Sequence, residues 1–173
     1  MILVNLYGAP GAGKSTGAAY IFSQLKMAGV NAELVTEFAK DKVWEGSKAV
    51  FENQAYIFGK QYFRITRCAP HVDVVITDSP LLLSTVYNTD QTLGETFNQL
   101  VHNVANSFNS KNYFVQRVKE YNPAGRFQNE QESDAIAIQI ENLLNNQVEY
   151  KAISGNPDGY HQVVKDILEA LEK

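Results

Sequence analysis

MILVNLYGAPGAGKST, residues 1–16, joins a short apolar run to a glycine-rich loop. Residues 2–7 predict a buried strand, because parallel strands covered on both faces are apolar almost throughout. Residues 8–15 fit G-x-x-x-x-G-K-[ST], a loop whose backbone N–H groups cradle nucleotide phosphates. Glycines permit this close approach, since side chains would block it. The predicted phosphate-binding residues are Gly8, Ala9, Pro10, Gly11, Ala12, Gly13, Lys14, Ser15 and Thr16.

Three side chains are predicted to complete a site for a triphosphate and its magnesium ion. Lys14 can reach the β and γ phosphates, and the Ser15 hydroxyl can bind Mg²⁺. Asp78 directly follows the apolar run VVIT, at the end of a strand that we place beside the first one, where an acidic residue can hold Mg²⁺. The alternative is that Asp78 caps the next turn. Asp73 starts the same strand and would therefore lie at the wrong end of the sheet.

Apolar runs alternate with helical periodicities along the rest of the chain. The predicted strands are residues 2–7, 32–36, 72–77, 113–118 and 150–153. Helices are predicted after each of them, including one with an aromatic face from Phe51 to Ile65. This alternation predicts an α/β fold with five parallel strands and helices on both faces, the three-layer sandwich of P-loop NTPases. Ligands of such a sheet bind at the carboxyl ends of its strands.

The composition is that of an ordinary globular chain without a strong charge bias. Its 173 residues suit one domain, 1–173, and the net charge of -4 gives no general attraction to nucleic acid or anionic membranes. The single cysteine, Cys68, fits a reducing compartment. No run approaches the ~20 apolar residues that span a bilayer. We therefore expect a cytoplasmic protein without a membrane segment.

A basic loop after the fourth strand favours a kinase. Arg117, Lys119 and Arg126 surround a Pro-Gly-containing stretch, and we predict a short lid at about residues 117–130. A lid can exclude water and neutralise the transferring phosphoryl group, with Arg117 and Arg126 as catalytic candidates. The alternative is an ordinary exposed loop. A GTPase switch usually carries an Asn-Lys-x-Asp guanine reader, which NSKN at 109–112 does not match, so ATP is favoured over GTP.

A kinase also needs a site for the acceptor of the phosphoryl group. Glu37 directly follows the second strand and could accept the proton of an attacking hydroxyl, a role that Asp78 could share. A helix N-terminal charge is the alternative for Glu37. Gln54 lies on the aromatic helix, and its amide could read the edge of a nucleobase.

Other residues near this predicted acceptor site have two interpretations. Trp44 could line the acceptor pocket or anchor the core, and Arg64 could hold an acceptor phosphate or solvate the end of its helix. Phe58 and Tyr62 are expected in the core. The loop GNPDG at 155–159 could touch the adenine of ATP, or be a plain turn with a helix cap.

The motifs GAPGAGKST, LVTEF, DSP, the NQ-containing helix and the GR-containing lid together resemble small P-loop kinases of the ribosylnicotinamide-kinase-like family. The resemblance covers nearly the whole chain, and members are frequent in bacteriophage genomes. The arrangement is also similar to deoxynucleoside kinases, in which a glutamate after the second strand is the base and a glutamine reads the nucleobase. Those roles would fall on Glu37 and Gln54. The chain departs from them at 78–80, where they carry an acidic residue followed by arginine.

These resemblances imply an ATP-dependent phosphotransferase. It would move the γ-phosphate of MgATP to a hydroxyl of a nucleoside- or nucleotide-like acceptor. The chain also resembles predicted phage kinases that phosphorylate 5-hydroxymethyluracil within DNA, which is one alternative. A non-kinase ATPase or switch is the other. The expected partners are a nucleoside-like small molecule or modified DNA. The sequence does not decide between a monomer and a homodimer.

Overall fold

The computed structural model describes residues 1–123 and 128–172. Within these residues, short strands alternate with helices along the whole chain. The elements are β1 (Ile2–Tyr7), α1 (Lys14–Met27), β2 (Ala32–Val35), α2 (Phe38–Trp44), α3 (Lys48–Phe51), α4 (Gln54–Thr66), β3 (Val74–Thr77), α5 (Leu83–Tyr87), α6 (Gly94–Asn106), β4 (Ser110–Gln116), α7 (Glu130–Gln147), β5 (Lys151–Ser154) and α8 (Pro157–Leu171).

The strands form one sheet in the order β2-β3-β1-β4-β5, and every strand pair is parallel. The parallel sheet predicted from the sequence is therefore confirmed. Its register pairs Asn5 of β1 with Thr77 of β3, and Val35 of β2 with the same Thr77. The carboxyl ends of β1, β2 and β3 thus lie side by side at one edge of the sheet.

Alternate side chains of β1 enter two separate cores, one on each face of the sheet. Val4 and Leu6 join a cluster with residues of α1 and α8, whereas Leu3 and Tyr7 join a cluster with residues of α4, α6 and α7. All six residues of β1 are buried. Covering on both faces explains why this strand is apolar except for Asn5, and it confirms the predicted three-layer arrangement. None of the described helices is long and apolar enough to cross a membrane.

The strand β4 differs from its prediction because it begins with polar residues. It starts at Ser110, three residues before the predicted 113–118 run. The Asn5 side-chain N–H donates to Asn112 Oδ1 at 3.0 Å, and the Asn112 side chain donates to the Glu149 carbonyl at 3.1 Å. Hydrogen bonds between amide side chains thus allow polar residues to lie within the sheet. A search for apolar runs does not find a strand segment of this kind.

The helix α4 also differs from its prediction in two respects. It begins at Gln54 rather than Phe51, because the Asn53 side chain caps it by accepting the Tyr56 N–H. The expectation that Tyr62 lies in the core is wrong, since its side chain is 37% exposed and stacks on the outer side of Phe58. Phe58 itself is buried, as predicted. Phe58 and Tyr62, which lie one helical turn apart, therefore stack on each other, and only Phe58 is buried.

Asn112→Ala is expected to lower the free energy of unfolding by about 1–3 kcal/mol, because the largely buried Asn5 amide would lose its partner. Chemical denaturation measures this loss. Nucleotide binding should be unchanged, since Asn112 lies near the amino end of β4, away from the phosphate loop. A variant as stable as the wild type would show that the amide pair does not stabilise this register.

Candidate functional site

The loop between β1 and α1 has the backbone shape of a phosphate cradle. Gly8, Gly11 and Gly13 have φ values of 144°, 84° and 103°. Side chains are strained in this region, so glycine is required at these turns. Gly13 precedes α1 as its N-cap, and the Ser15 and Thr16 side chains lie in the first helical turn. The N–H groups of this turn and the positive end of the helix dipole point into the loop, as anion binding requires.

Two charged side chains face the same loop. Lys14 Nζ donates to the carbonyls of Gly8 at 2.7 Å and Ala9 at 3.0 Å, so its ammonium group lies over the loop. Asp78 follows β3 and is 3% exposed, and its Oδ1 has no hydrogen-bond partner in the described part of the chain. A buried carboxylate oxygen without a donor is costly, and a cation would satisfy it. Asp78 and the nearby Ser15 hydroxyl therefore fit a magnesium site.

No group of three or more His, Cys, Asp or Glu side chains among the described residues could hold a metal ion by itself. Oxygen ligands for Mg²⁺ would therefore come in part from a bound phosphate and from water, as is usual for this ion. Asp78 and Ser15 would supply the ligands that come from the protein.

Three contacts from the far half of the chain hold the phosphate loop. Ser133 Oγ donates to the Pro10 carbonyl at 2.8 Å, and the Tyr160 hydroxyl donates to the Gly13 carbonyl at 3.0 Å. A Cβ on Gly155 would lie 2.4 Å from the Ala12 carbonyl oxygen, so only glycine fits there. Ser133 and Tyr160 were not singled out from the sequence, and Gly155 was named only as part of the loop at 155–159. The loop at 155–159 also caps α8, because Asn156 Oδ1 accepts the Gly159 N–H.

Glu37 occupies the N-cap position of α2, but its side chain makes no cap hydrogen bond. Burial raises the pKa of this carboxyl above its ordinary value, Lys14 opposes the rise, and Asp78 adds to it. Lys14 and Asp78 therefore lie close enough to Glu37 to change its pKa. A carboxylate with a raised pKa in a cleft is a candidate for proton transfer.

One cavity of about 350 Å³ connects these groups. The phosphate loop, Glu37 and Asp78 line one part of it. The remaining part carries side chains that are mostly apolar or uncharged, which include Trp44, Phe51, Gln54, Ile57, Gln61, Leu83, Ser84 and Tyr87. Gln54 is buried and its Nε2 donates to the Phe51 carbonyl at 3.3 Å. Trp44 is 73% exposed at the cavity, and the expectation that it could anchor the core is wrong.

Among the predicted arginines that the structure describes, Arg64 and Arg117 do not line this cavity. Arg64 pairs with Asp41 at 2.6 Å, and Arg117 pairs with Asp134 at 2.7 Å and Glu130 at 3.2 Å. Arg126 lies outside the described residues, as does the centre of the predicted lid. The structure therefore brings together Lys14, Ser15, Glu37, Asp78, Gln54 and Trp44, but it leaves Arg64 and Arg117 in ion pairs elsewhere.

The parallel sheet and its glycine-rich loop define the class as a P-loop NTPase. More specifically, a family model described as an AAA domain, AAA_28, matches residues 3–160, and the chain belongs to that family. No curated protein sequence matches the chain significantly.

Two solved structures of deoxyadenosine kinase from M. mycoides have a similar fold. One, with the products dCMP and a flexible dCDP bound, is 18% identical with a TM-score of 0.59, and the match covers 98% of each chain. The other, with bound dATP, is 17% identical with a TM-score of 0.61, and covers 99% of this chain and 100% of that one. These similarities extend over the whole length of the fold.

Glu37→Gln is expected to raise the melting temperature of the nucleotide-free protein at pH 8. Because burial raises the pKa of Glu37, the folded state loses stability as the pH rises above the ordinary carboxyl pKa, and the loss is complete above the raised pKa. Below the ordinary carboxyl range the side chain is protonated in the folded and unfolded chains, so the advantage of glutamine should disappear. Thermal unfolding of both proteins from about pH 3 to pH 8 measures this. A difference that does not change with pH would contradict it.

Proposed function

We propose that this protein is an ATP-dependent phosphotransferase that acts on a hydroxyl of an uncharged, nucleoside-like acceptor. The observation that carries the proposal is one cavity that is lined by the phosphate loop, Glu37 and Asp78 and by a set of mostly apolar or uncharged side chains, which we call the chamber. A triphosphate on the loop would direct its terminal phosphate towards that chamber. Hydrolysis needs only water, whereas a chamber with aromatic and amide side chains suits an organic acceptor.

Residues 8–16 would hold the triphosphate of ATP. Their backbone N–H groups would contact phosphate oxygens, and Lys14 would exchange its two carbonyl partners for the β and γ phosphates. Ser15 and Asp78 would hold Mg²⁺, which, when bound, neutralises phosphate charge. The AAA-domain family and the solved deoxyadenosine kinases, one of them with dATP bound, support a nucleotide at this loop.

In the proposed reaction, an acceptor hydroxyl oxygen attacks the γ-phosphorus of ATP. A bond forms between that oxygen and phosphorus, and the bond from phosphorus to the β,γ-bridging oxygen breaks, so ADP leaves. Glu37 in its ionised form would accept the hydroxyl proton, because its side chain lines the same cavity as the phosphate loop and the chamber. Lys14 stabilises the charge on the transferring group.

The chamber supports an uncharged acceptor over a nucleotide. Among the described residues that line the cavity, Lys14 and Lys40 are the cations, and Lys14 belongs to the phosphate loop. Arg64 and Arg117, which could bind an acceptor phosphate, are paired with carboxylates instead. Gln54 and Trp44 offer an amide for a nucleobase edge and a ring for its face. The deoxyadenosine kinase structures, one with dCMP as product, support a nucleoside as acceptor.

The DNA alternative relies on a basic surface along α4. Lys60 and Arg67 are exposed there, but Arg64 between them is paired with Asp41. With a net charge of -4, this surface offers little attraction to a polyanion. A small-molecule acceptor is therefore favoured.

The direct test incubates the protein with γ-labelled ATP, Mg²⁺ and a mixed acceptor pool. The pool contains nucleosides, nucleoside monophosphates, nicotinamide riboside, and DNA with and without 5-hydroxymethyluracil. Label in a nucleoside-type phosphate ester is expected. Label that precipitates with DNA would identify the DNA alternative, and label released only as inorganic phosphate would identify an ATPase.

Glu37→Gln is expected to lower the transfer rate by ~10²-fold or more, because it removes the proton acceptor from the site. ATP binding should persist, since the phosphate loop is unchanged. Steady-state kinetics with the identified acceptor measure the rate. The matched control is Glu45→Gln, the same substitution at an exposed residue that pairs with Lys42 outside the cavity. Equal rates for wild type and Glu37→Gln would assign the role elsewhere.

A further inference from the structure

The side-chain amide of Gln61 on α4 makes three hydrogen bonds to the protein, and Gln61 is only 3% exposed. Its Oε1 accepts the Phe38 N–H at 3.0 Å. Its Nε2 donates to Thr77 Oγ1 at 3.2 Å and to the Thr36 carbonyl at 3.4 Å. These contacts use both N–H donors of the amide and one of the two acceptor positions of its oxygen. Gln61 lines the cavity, but its polar atoms are directed to the protein rather than to a ligand.

These bonds hold the backbone on both sides of Glu37. The Thr36 carbonyl precedes Glu37, and the Phe38 N–H follows it. Phe38 begins α2, and the first N–H groups of a helix have no partner within the helix. The Glu37 side chain, at the N-cap position, makes no capping hydrogen bond. Gln61 supplies a partner for the Phe38 N–H from another helix, and the Glu37 side chain lines the cavity.

The same amide reaches the strand that carries Asp78. Thr77 directly precedes Asp78 and is fully buried, and its Oγ1 also accepts the Ser79 N–H at 3.1 Å. Gln61 and Thr77 therefore form a hydrogen-bonded bridge between the segment that carries Glu37 and the segment that carries Asp78. We call it the Gln61–Thr77 bridge.

We propose that Gln61 is a positioning residue, which fixes the Glu37 carboxylate relative to Asp78 and to the phosphate loop. The inference rests on the proposed function, because it assigns Gln61 a task in phosphoryl transfer. A base must lie within hydrogen-bond reach of the acceptor hydroxyl, and a displacement of about 1 Å can cost ~10²-fold in rate. Arg64 donates to the same Thr36 carbonyl at 3.2 Å, so α4 holds this peptide group with two side chains.

Gln61→Met tests the proposal, because methionine keeps an unbranched side chain of similar length and removes both the donor and the acceptor. We expect kcat to fall by ~10- to ~10²-fold, with the KM for ATP within about twofold of wild type. The loop that binds ATP is not contacted by Gln61. Steady-state kinetics with an acceptor from the labelled pool provide both constants. A folded variant with wild-type kcat would overturn the proposal.

A double-mutant cycle with Glu37→Gln separates positioning from simple structural support. If Gln61 acts through the Glu37 carboxylate, adding Gln61→Met to Glu37→Gln should lower kcat by less than about twofold. If Gln61 only stabilises the fold, the two effects should multiply. That multiplicative outcome would overturn the proposal.

Two further variants keep the test decisive. Thr77→Val preserves the side-chain shape and removes the arm of the bridge beside Asp78, together with the bond from the Ser79 N–H, so it also should lower kcat while the KM for ATP is retained. It serves if Gln61→Met does not fold, and an unchanged kcat in Thr77→Val would then overturn the proposal. Asn112→Ala is the matched control, because it removes an amide hydrogen-bond network that joins Asn5 to Asn112 and Asn112 to Glu149 and includes neither Gln61 nor Thr77. Its stability should fall and its kcat should not.

The wild-type measurement distinguishes a failure of the proposed function from a failure of the role proposed for Gln61. A wild-type protein that transfers label to no acceptor refutes the proposed function, and with it the basis of the inference. A wild-type protein that is active, with equally active folded Gln61→Met and Thr77→Val variants, refutes only the role of Gln61.

Discussion

Parallel pairing of β1 with β3, and of β3 with β2, is the constraint on which the site depends. It places three carboxyl ends of strands at one edge of the sheet. The phosphate loop leaves β1 there, Asp78 leaves β3, and Glu37 follows β2. The three chemical components are therefore brought together by backbone hydrogen bonds alone. The side chains add the finer geometry, through Gln61 on one side and through Ser133 and Tyr160 on the other.

The site retains polar groups that the nucleotide-free fold does not fully satisfy. The pKa of Glu37 is raised by burial, and Asp78 Oδ1 has no hydrogen-bond partner among the described residues. Such groups oppose folding, since a carboxylate loses hydration when it is buried. The apolar clusters on both faces of the sheet offset this cost. A bound cation and acceptor would satisfy the same atoms, which accounts for their presence in an otherwise well-packed protein.

The sequence predicted the sheet and the phosphate loop because both depend on local patterns. A continuously apolar run predicts a strand that is covered on both faces, and the glycine spacing predicts the cradle. The short helix α5 was missed, because it is too short to show a periodic apolar face. Gln61, Ser133 and Tyr160 were missed for a different reason. Their partners lie 16 to 147 residues away in the sequence, so no local pattern marks them.

The predicted arginines show the limit of reasoning from charge. Arg64 and Arg117 were chosen because cations suit phosphate, yet each has a carboxylate partner in the folded chain. A sequence shows that a charge is present but not which opposite charge lies beside it. Arg126, by contrast, lies outside the described residues. Its predicted role in the lid stays a prediction.

The central claim is that this site transfers a phosphoryl group to a hydroxyl and does not simply hydrolyse ATP. Its most direct test is the rate of ADP formation by the wild-type protein with Mg²⁺ and ATP, with and without the acceptor pool. The account predicts almost no ADP without an acceptor, and stimulation by orders of magnitude when a suitable nucleoside-like alcohol is added. Rapid ADP formation that no acceptor changes would contradict it.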